Sequence, residues 1–294
     1  MNPIIQCVPN FSEGRDIKTA ESIVAAVEAA STARIPDFSL DPDHNRMVLT
    51  LLGDPDEIRS AVFAAAARAV ECIDLRKHIG EHPRIGAIDV VPLVPIRDID
   101  VRDCVTISHV IGADLAERLN IPVFFYEHSA ATRRNLPDIR RGGFERLQSL
   151  ELTREWTPDL GPHAVHPSAG VTVVGARRPL VAYNVNLDTE DIEIAKSIVK
   201  KLRSGAARLE GVRSIAVRLA SRHKVQVSMN VTKPNITPLK DVFSYVETEA
   251  GVLGIKNVES EIIGLVALDS LRGTSPERLN AVNFKESQIL DNWL

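Results

Sequence analysis

The chain has 294 residues, 44% of them apolar and 25% charged, and a formal net charge of −4. That composition fits an ordinary soluble globular protein with room for two modest domains, and the acidic balance argues against a general nucleic-acid surface. There is no apolar run of about 18 residues to span a membrane and no basic-then-apolar signal peptide at the start, and the scattered Cys7, Cys72 and Cys104 fit reduced thiols of a cytoplasmic protein, not a disulfide frame.

Taken in order, Ile4 to Val8 predicts a strand that enters a loop at Pro9-Asn10. Asp16 then precedes an apolar-periodic segment, the pattern of a capped helix start. Arg34 to Leu40 and MVLTLLG read as two strands of a hairpin around DPDHNR. The tip holds His44, Asn45 and Arg46, and the pattern allows either a solvated turn or a ligand-facing cluster. Pro55 to Cys72 predicts a second helix with acidic residues at its start, where the dipole favours them. The stretch RKHIGEHPRIGAIDVVP follows, leading into a strand over Ala87 to Ile96. A further helix over 103–119 and a strand over Pro122 to Glu127 come next. The polar region 129–160 carries the basic run Arg133, Arg134, Arg140 and Arg141, either a solvated face or a rim for an anionic substrate.

From Pro179 the pattern restarts. LVAYNVNL, GVRSIAVRLA, KVQVSMNVT and Val258 to Val266 read as strands, with helices after Asp188-Thr189 and over Pro238 to Val252. Residues 1–96 and the region after Pro179 therefore share the order β-α-β-β-α-β, that of a split βαβ unit. The expected fold is α/β (α+β): two ferredoxin-like βαββαβ subdomains, 1–178 and 179–294, with a ligand crevice between them. On the second half, Asn184, Asn186, Gln226, Ser228 and Asn230 alternate onto one sheet face. Such alternation fits a hydrogen-bonding wall and a solvent-exposed face equally well.

The chemistry concentrates in the loop between the second helix and the strand after it. GEHPR places His82 beside Glu81 and Arg84, with Gly80 and Pro83 shaping the turn. A histidine can give and take protons near neutral pH, and loops held by a rigid scaffold are where such groups act. His78 and His82 are four apart, but Gly80 and Pro83 break the helix a metal-binding pair would need, and no metal is expected. No GxSxG, GxGxxG or GxxxxGK[ST] occurs, so a serine nucleophile, a Rossmann fingerprint and a P-loop are unsupported. General acid–base work by His82 is the simplest chemistry the residues permit.

CVPNFSEG, DHNR, GEHPRIGAIDVVPLVPI, IPVFFYE, PDLGP–HPSAGVTVVGARRPLVAYNVNLDT, QVSMNVT and SEIIGLV together resemble the glutamate formimidoyltransferase family, over about residues 4–268. The resemblance implies a stand-alone transferase that moves a formimidoyl group between N-formimidoyl-L-glutamate and tetrahydrofolate in histidine degradation. It implies His82 as the catalytic residue. It implies folate contacts from Gly161, Pro162, His163, Ala164, Val165, His166, Pro167, Ser168, Ala169 and Gly170, facing His82 across the crevice. Asn10, His44, Asn45, Arg46, Arg84, Arg177 and Asn184 are candidate substrate contacts, and Asp89 a candidate to orient the imidazole. Arg178 joins the arginines that could bind carboxylates. Tetrahydrofolate is then a co-substrate, the partners are small molecules, and the apolar tail Ile289 to Leu294 suits a homodimer. Two other readings are a folate-binding protein without turnover and a transferase using a 5-formyltetrahydrofolate donor.

Overall fold

The computed structural model describes residues 2–81, 83–132, 134–205 and 207–294; His82 and Arg133 lie outside the described residues. Contacts divide the chain into two units, Met1–Arg178 and Pro179–Leu294.

In the first unit, Pro9 interrupts the opening strand, leaving β1 (Ile4–Cys7) and β2 (Asn10–Phe11). They are followed by α1 (Ile17–Ala30), β3 (Arg34–Asp41), β4 (Arg46–Gly53), α2 (Pro55–Cys72) and β5 (Ile88–Arg97). Helix starts are set by local chemistry. Asp16 caps α1 through the Lys18 N–H, and Asp54 with Glu57 closes a capping box on α2, whose first residue is Pro55. The four-strand unit expected from the pattern is present as β3-β4-(β1, β2)-β5, all antiparallel.

The sheet does not stop there. α3 (Val101–Leu119) leads to β6 (Val123–Phe125), then come the short helices α4 (Leu136–Ile139) and α5 (Gly143–Gln148), and the unit ends in β7 (Thr172–Ala176). β7 pairs in parallel with β5 on one side and β6 on the other, making a seven-stranded sheet. α1, α2 and α3 bury Ile23, Val27, Ile58, the small side chains of Ala61, Ala65 and Ala69, and Leu115 against Ile5, Leu49, Val91 and Val174. A second apolar cluster gathers Ile85, Val90, Phe124, Tyr126 and Val173 with Ile139, Leu147 and Leu152 from the segment around α4 and α5. The region read as polar therefore contributes core residues.

The second unit contains β8 (Val181–Leu187), α6 (Ile192–Arg203), β9 (Val212–Leu219), β10 (Lys224–Val231), α7 (Leu239–Val252) and β11 (Val258–Ile263). Its sheet runs β11-β8-β10-β9, entirely antiparallel. Val185, Val227 and Met229 meet Ile198, Leu202 and Val246 of the two helices, so odd positions of β8 and β10 face the core. The terminal segment lies along β11 of its own unit: Ala281 bridges Ser260 and Ile289 bridges Val266, in parallel. The tail proposed as a dimer surface is thus in part an internal strand cover.

Candidate active site

The loop carrying His82 is held by three other stretches of the first unit. Gly14 N–H donates to Asn45 Oδ1 at 2.9 Å, and Asn45 Nδ2 donates to the Ile79 carbonyl at 2.9 Å. Glu81 N–H reaches the Asp43 carbonyl at 3.1 Å. Arg84 Nε donates to His78 Nδ1 at 2.9 Å, which leaves Nε2 as the protonated nitrogen that donates to the Asn45 carbonyl at 2.8 Å. Burial and the nearby Arg84 hold the His78 pKa below its ordinary value. A Cβ at Gly80 would lie 2.4 Å from the His44 carbonyl oxygen, so glycine permits the hairpin tip to press this close. Asp43, His44 and Asn45 are all buried, so the tip is a packed clamp and not a solvated turn.

Arg84 also forms a two-pronged pair with Glu145 of α5, at 2.8 and 2.6 Å. That hydrogen bonding lowers the Glu145 pKa. The Arg84 carbonyl accepts the Phe144 N–H at 3.0 Å, so the loop is fastened on its C-terminal side by α5.

Beneath the loop lies a buried ion cluster. Asp89 Oδ1 accepts the Ile85 N–H at 2.8 Å, while Oδ2 pairs with Arg140 and lies 3.8 Å from Arg46 Nη1. Arg46 Nε donates to Asn10 Oδ1 at 2.7 Å, and Asn10 Nδ2 donates to the Val8 carbonyl at 2.7 Å. Burial and the neighbouring Arg140 push the Arg46 guanidinium down to about 9, with Asp89 opposing. Asp89, read as a candidate to orient the imidazole, has both oxygens engaged by this scaffold. In the basic run, Arg134 pairs with Asp159 at 2.7 Å and Arg141 with Asp138 at 2.8 Å. Its described arginines therefore pair with carboxylates of the same unit.

Residues 161–170 belong to the same unit as the histidine loop and are hydrogen-bonded to it. Ala87 N–H donates to the Ala169 carbonyl at 2.8 Å, and Val171 N–H to the Ile85 carbonyl at 2.9 Å. Gly86 and Gly170 bridge between these bonds. Gly170 has φ +74, and a Cβ there would sit 2.1 Å from the Ile85 oxygen. His166 Nδ1 accepts the Ala169 N–H at 2.9 Å, so this ring braces its own loop, and burial lowers its pKa. Gly161, His163, Ala164 and Pro167 are exposed, while Pro162, Val165 and Ser168 are half-buried and Ala169 is buried. Arg177 is half-buried beside the Tyr126 hydroxyl, and burial lowers its pKa; Arg178 is exposed.

In the second unit the alternating polar face is largely buried. Asn184, Asn186, Gln226 and Glu261 are each less than a tenth exposed. Gln226 donates to Asn186 Oδ1 at 2.8 Å, and Asn186 donates to Glu261 and Glu259 at 3.0 and 3.2 Å. Arg222 pairs with Glu261, and Lys224 with Glu259 at 2.9 Å. Asn184, Asn186 and Gln226 therefore do not form a solvent-exposed face, while Ser228 is half-buried and Asn230 exposed.

Two of the thiols are not poised as nucleophiles. Cys7 and Cys104 are buried, and burial pushes Cys7 well up and Cys104 to about 12, so neither is a thiolate at neutral pH. Sequence reasoning missed Glu145 and, as a site residue, Arg140. Arg140 was visible in the basic run, but nothing in the order of residues joins it to a carboxylate 51 positions earlier.

The first unit holds a histidine-bearing loop on three sides, and the second carries a buried network of amides and carboxylates. Residues 4–177 match the family model described as the N-terminal subdomain of the formiminotransferase domain, and residues 182–277 match the formiminotransferase domain. The chain belongs to the formiminotransferase family. It is 42% identical to a glutamate formimidoyltransferase of Streptococcus pyogenes serotype M1, covering 100% of this chain and 99% of the relative. A glutamate formimidoyltransferase of Thermoplasma acidophilum is 40% identical, over 98% of this chain and 96% of its own. The formimidoyltransferase-cyclodeaminase of Rattus norvegicus is 38% identical over 92% of this chain, which covers 51% of that longer protein.

Proposed function

We propose that the chain is a glutamate formimidoyltransferase, moving the formimidoyl group from N-formimidoyl-L-glutamate to tetrahydrofolate with His82 as general acid and base. The observation that carries this reading is the intact GEHPR loop in a chain matched along nearly its whole length by formimidoyltransferases. In the reaction, N5 of tetrahydrofolate attacks the amidine carbon and a tetrahedral intermediate forms. His82 takes the proton from N5 and returns it to the departing glutamate nitrogen as the C–N bond breaks. One imidazole serves both halves, and neither a metal nor a covalent intermediate is needed. The exposed Gly161, His163, Ala164 and Pro167 meet the folate, a reading supported by the hydrogen bonds that tie Ser168 and Ala169 of the same segment to the histidine loop. Units Met1–Arg178 and Pro179–Leu294 act as the two formimidoyltransferase subdomains. Three free thiols, two of them buried, support a reducing cytoplasmic setting, where the reaction would serve histidine degradation.

The test is transfer from N-formimidoyl-L-glutamate to tetrahydrofolate by the purified chain, beside 5-formyltetrahydrofolate with glutamate as acceptor. The formimidoyl donor should be used much the faster; preference for the formyl donor would overturn the substrate assignment. His82→Ala should keep the native circular dichroism and lose roughly a hundredfold or more in rate, the usual scale of a general acid–base. Undiminished turnover in the folded variant would remove His82 from the mechanism.

A further inference from the structure

The second unit's sheet ends on β9, which has β10 on one side and, among the described residues, no strand on the other. The parity of that pairing fixes which backbone groups point outward. Thr232 N–H donates to the Gly211 carbonyl at 2.8 Å, in step with the β9–β10 register. Arg213, Ile215 and Val217 therefore turn their N–H and C=O groups toward β10, and Ser214, Ala216 and Arg218 turn theirs away from it. The Ser214 carbonyl is taken from that outer side by Arg203 Nε at 2.9 Å. The N–H and C=O of Ala216 are left on the open edge.

Beside this edge lies an open groove of about 350 Å³, lined by Lys196, Val199, Lys200 and Arg203 of α6 and by Ile215 and Ala216 of β9. The four helix residues are spaced i, i+3, i+4 and i+7, so they form one stripe of α6. Val199 is buried and makes the floor, while Lys196, Lys200 and Arg203 are exposed and make the rim. Lys196 pairs with Glu193 at 2.8 Å on the surface, a contact that holds little of its charge. Lys200 makes no ion pair among the described residues. Arg218, exposed and two residues beyond Ala216 on the same side of the strand, extends the positive charge along the edge.

An open strand edge beside a helix is the setting in which an extended chain adds as a further strand, with backbone bonds for affinity and alternate side chains for specificity. We propose that this groove docks an extended acidic segment of another protein, which adds to β9 as a fifth strand and sets carboxylates at alternate positions against Lys196, Lys200 and Arg203. Charge selects the occupant. Two β9 strands paired about a two-fold axis would bring the same three cations of each chain together, and like charges opposed across strands destabilise. A rim of one sign thus guards the edge against copies and admits a segment of the opposite sign.

The probe is the fluorescein-labelled, amidated peptide TEVEVET, beside its cationic counterpart TKVKVKT, with affinity read by anisotropy at low salt. TEVEVET should bind at least about tenfold the tighter. Lys200→Glu reverses a rim charge, and Ala216→Pro removes the outward N–H without touching the bonds to β10. Each should weaken TEVEVET about tenfold or more while circular dichroism stays native. Should Ala216→Pro fail to fold, amide exchange on the parent chain answers the question: the Ala216 N–H should gain protection when TEVEVET is added. No binding of TEVEVET to the parent, equal binding of the two peptides, or binding that leaves the Ala216 N–H as exchangeable as before would overturn the proposal. So would a chain that dimerises with the Ala216 N–H already protected in the absence of peptide, since the occupant would then be a second copy.

Discussion

His78 shows how closely the histidine loop depends on one protonation state. Its Nδ1 must accept from Arg84 while its Nε2 donates to the Asn45 carbonyl. A second proton would point an N–H at the guanidinium. Burial, then Arg84, lowers the folded pKa below the ordinary 6.5. A group whose folded pKa is depressed costs nothing above its unfolded value and destabilises as pH falls from there through the folded value. Stability should therefore decline below about pH 6.5, and His166, also lowered by burial, adds in the same direction. In urea unfolding at a series of pH values, His78→Gln should show a flatter decline below that point than the parent; equal slopes would remove His78 as a contributor. Little of this was legible in the order of residues. The HIGEHPR string marks the loop as chemically dense, yet it cannot say that one histidine is a buried brace held by the hairpin tip. Asp89 is the same kind of case. Its place in the sequence suggested an imidazole partner, but could not show that it pairs with Arg140 and Arg46, brought in from far away along the chain.

At the scale of elements, what is set locally was legible and what is set by pairing was not. α2 begins and ends at Pro55 and Cys72 as the periodicity and the DPDE start imply, because an N-cap, a capping box and an N1 proline act within one turn. β6 was recognisable as a strand, but the parallel attachment of β7 and β6 beyond β5 is a long-range choice that no local pattern fixes. The join between residues 161–170 and the histidine loop belongs here as well. It rests on backbone bonds at Ile85, Ala87 and Ala169 around the paired Gly86 and Gly170. Gly170→Ala would force a side chain into a left-handed backbone and against the Ile85 oxygen at 2.1 Å. The expected cost is at least about 1–3 kcal/mol for the backbone conformation alone. The formimidoyl transfer rate should fall too, since the loop bearing His82 loses its neighbour. A substitution that leaves both the thermal midpoint and the rate unchanged would show the join to be dispensable.

For the molecule as a whole, each unit finishes its sheet differently. The first unit extends its sheet past β5 with β7 and β6. The second leaves β11 at the edge of a four-stranded sheet and covers it with the terminal segment, which lies mostly beyond the matched 182–277. That cover is made of ordinary strand-like bonds. Ser260 N–H reaches the Asn280 carbonyl at 2.8 Å, Val282 N–H the Ser260 carbonyl at 2.8 Å, and Leu290 N–H the Val266 carbonyl at 2.9 Å. Buried Gln288 adds donations to the Ile262 and Gly264 carbonyls at 2.8 and 3.1 Å. An uncovered edge strand offers unpaired N–H and C=O groups to another chain. A protein ending at Gly273 should therefore keep α6, α7 and the four strands but present β11 to its copies. Light scattering should report self-association that rises with concentration, and the thermal midpoint should drop. Gln288→Ala, which strips two buried carbonyls of their donor, should cost about 1–3 kcal/mol without self-association. A truncated chain that stays as dispersed and as stable as the parent would show that the tail merely rests on the sheet, whatever its hydrogen bonds.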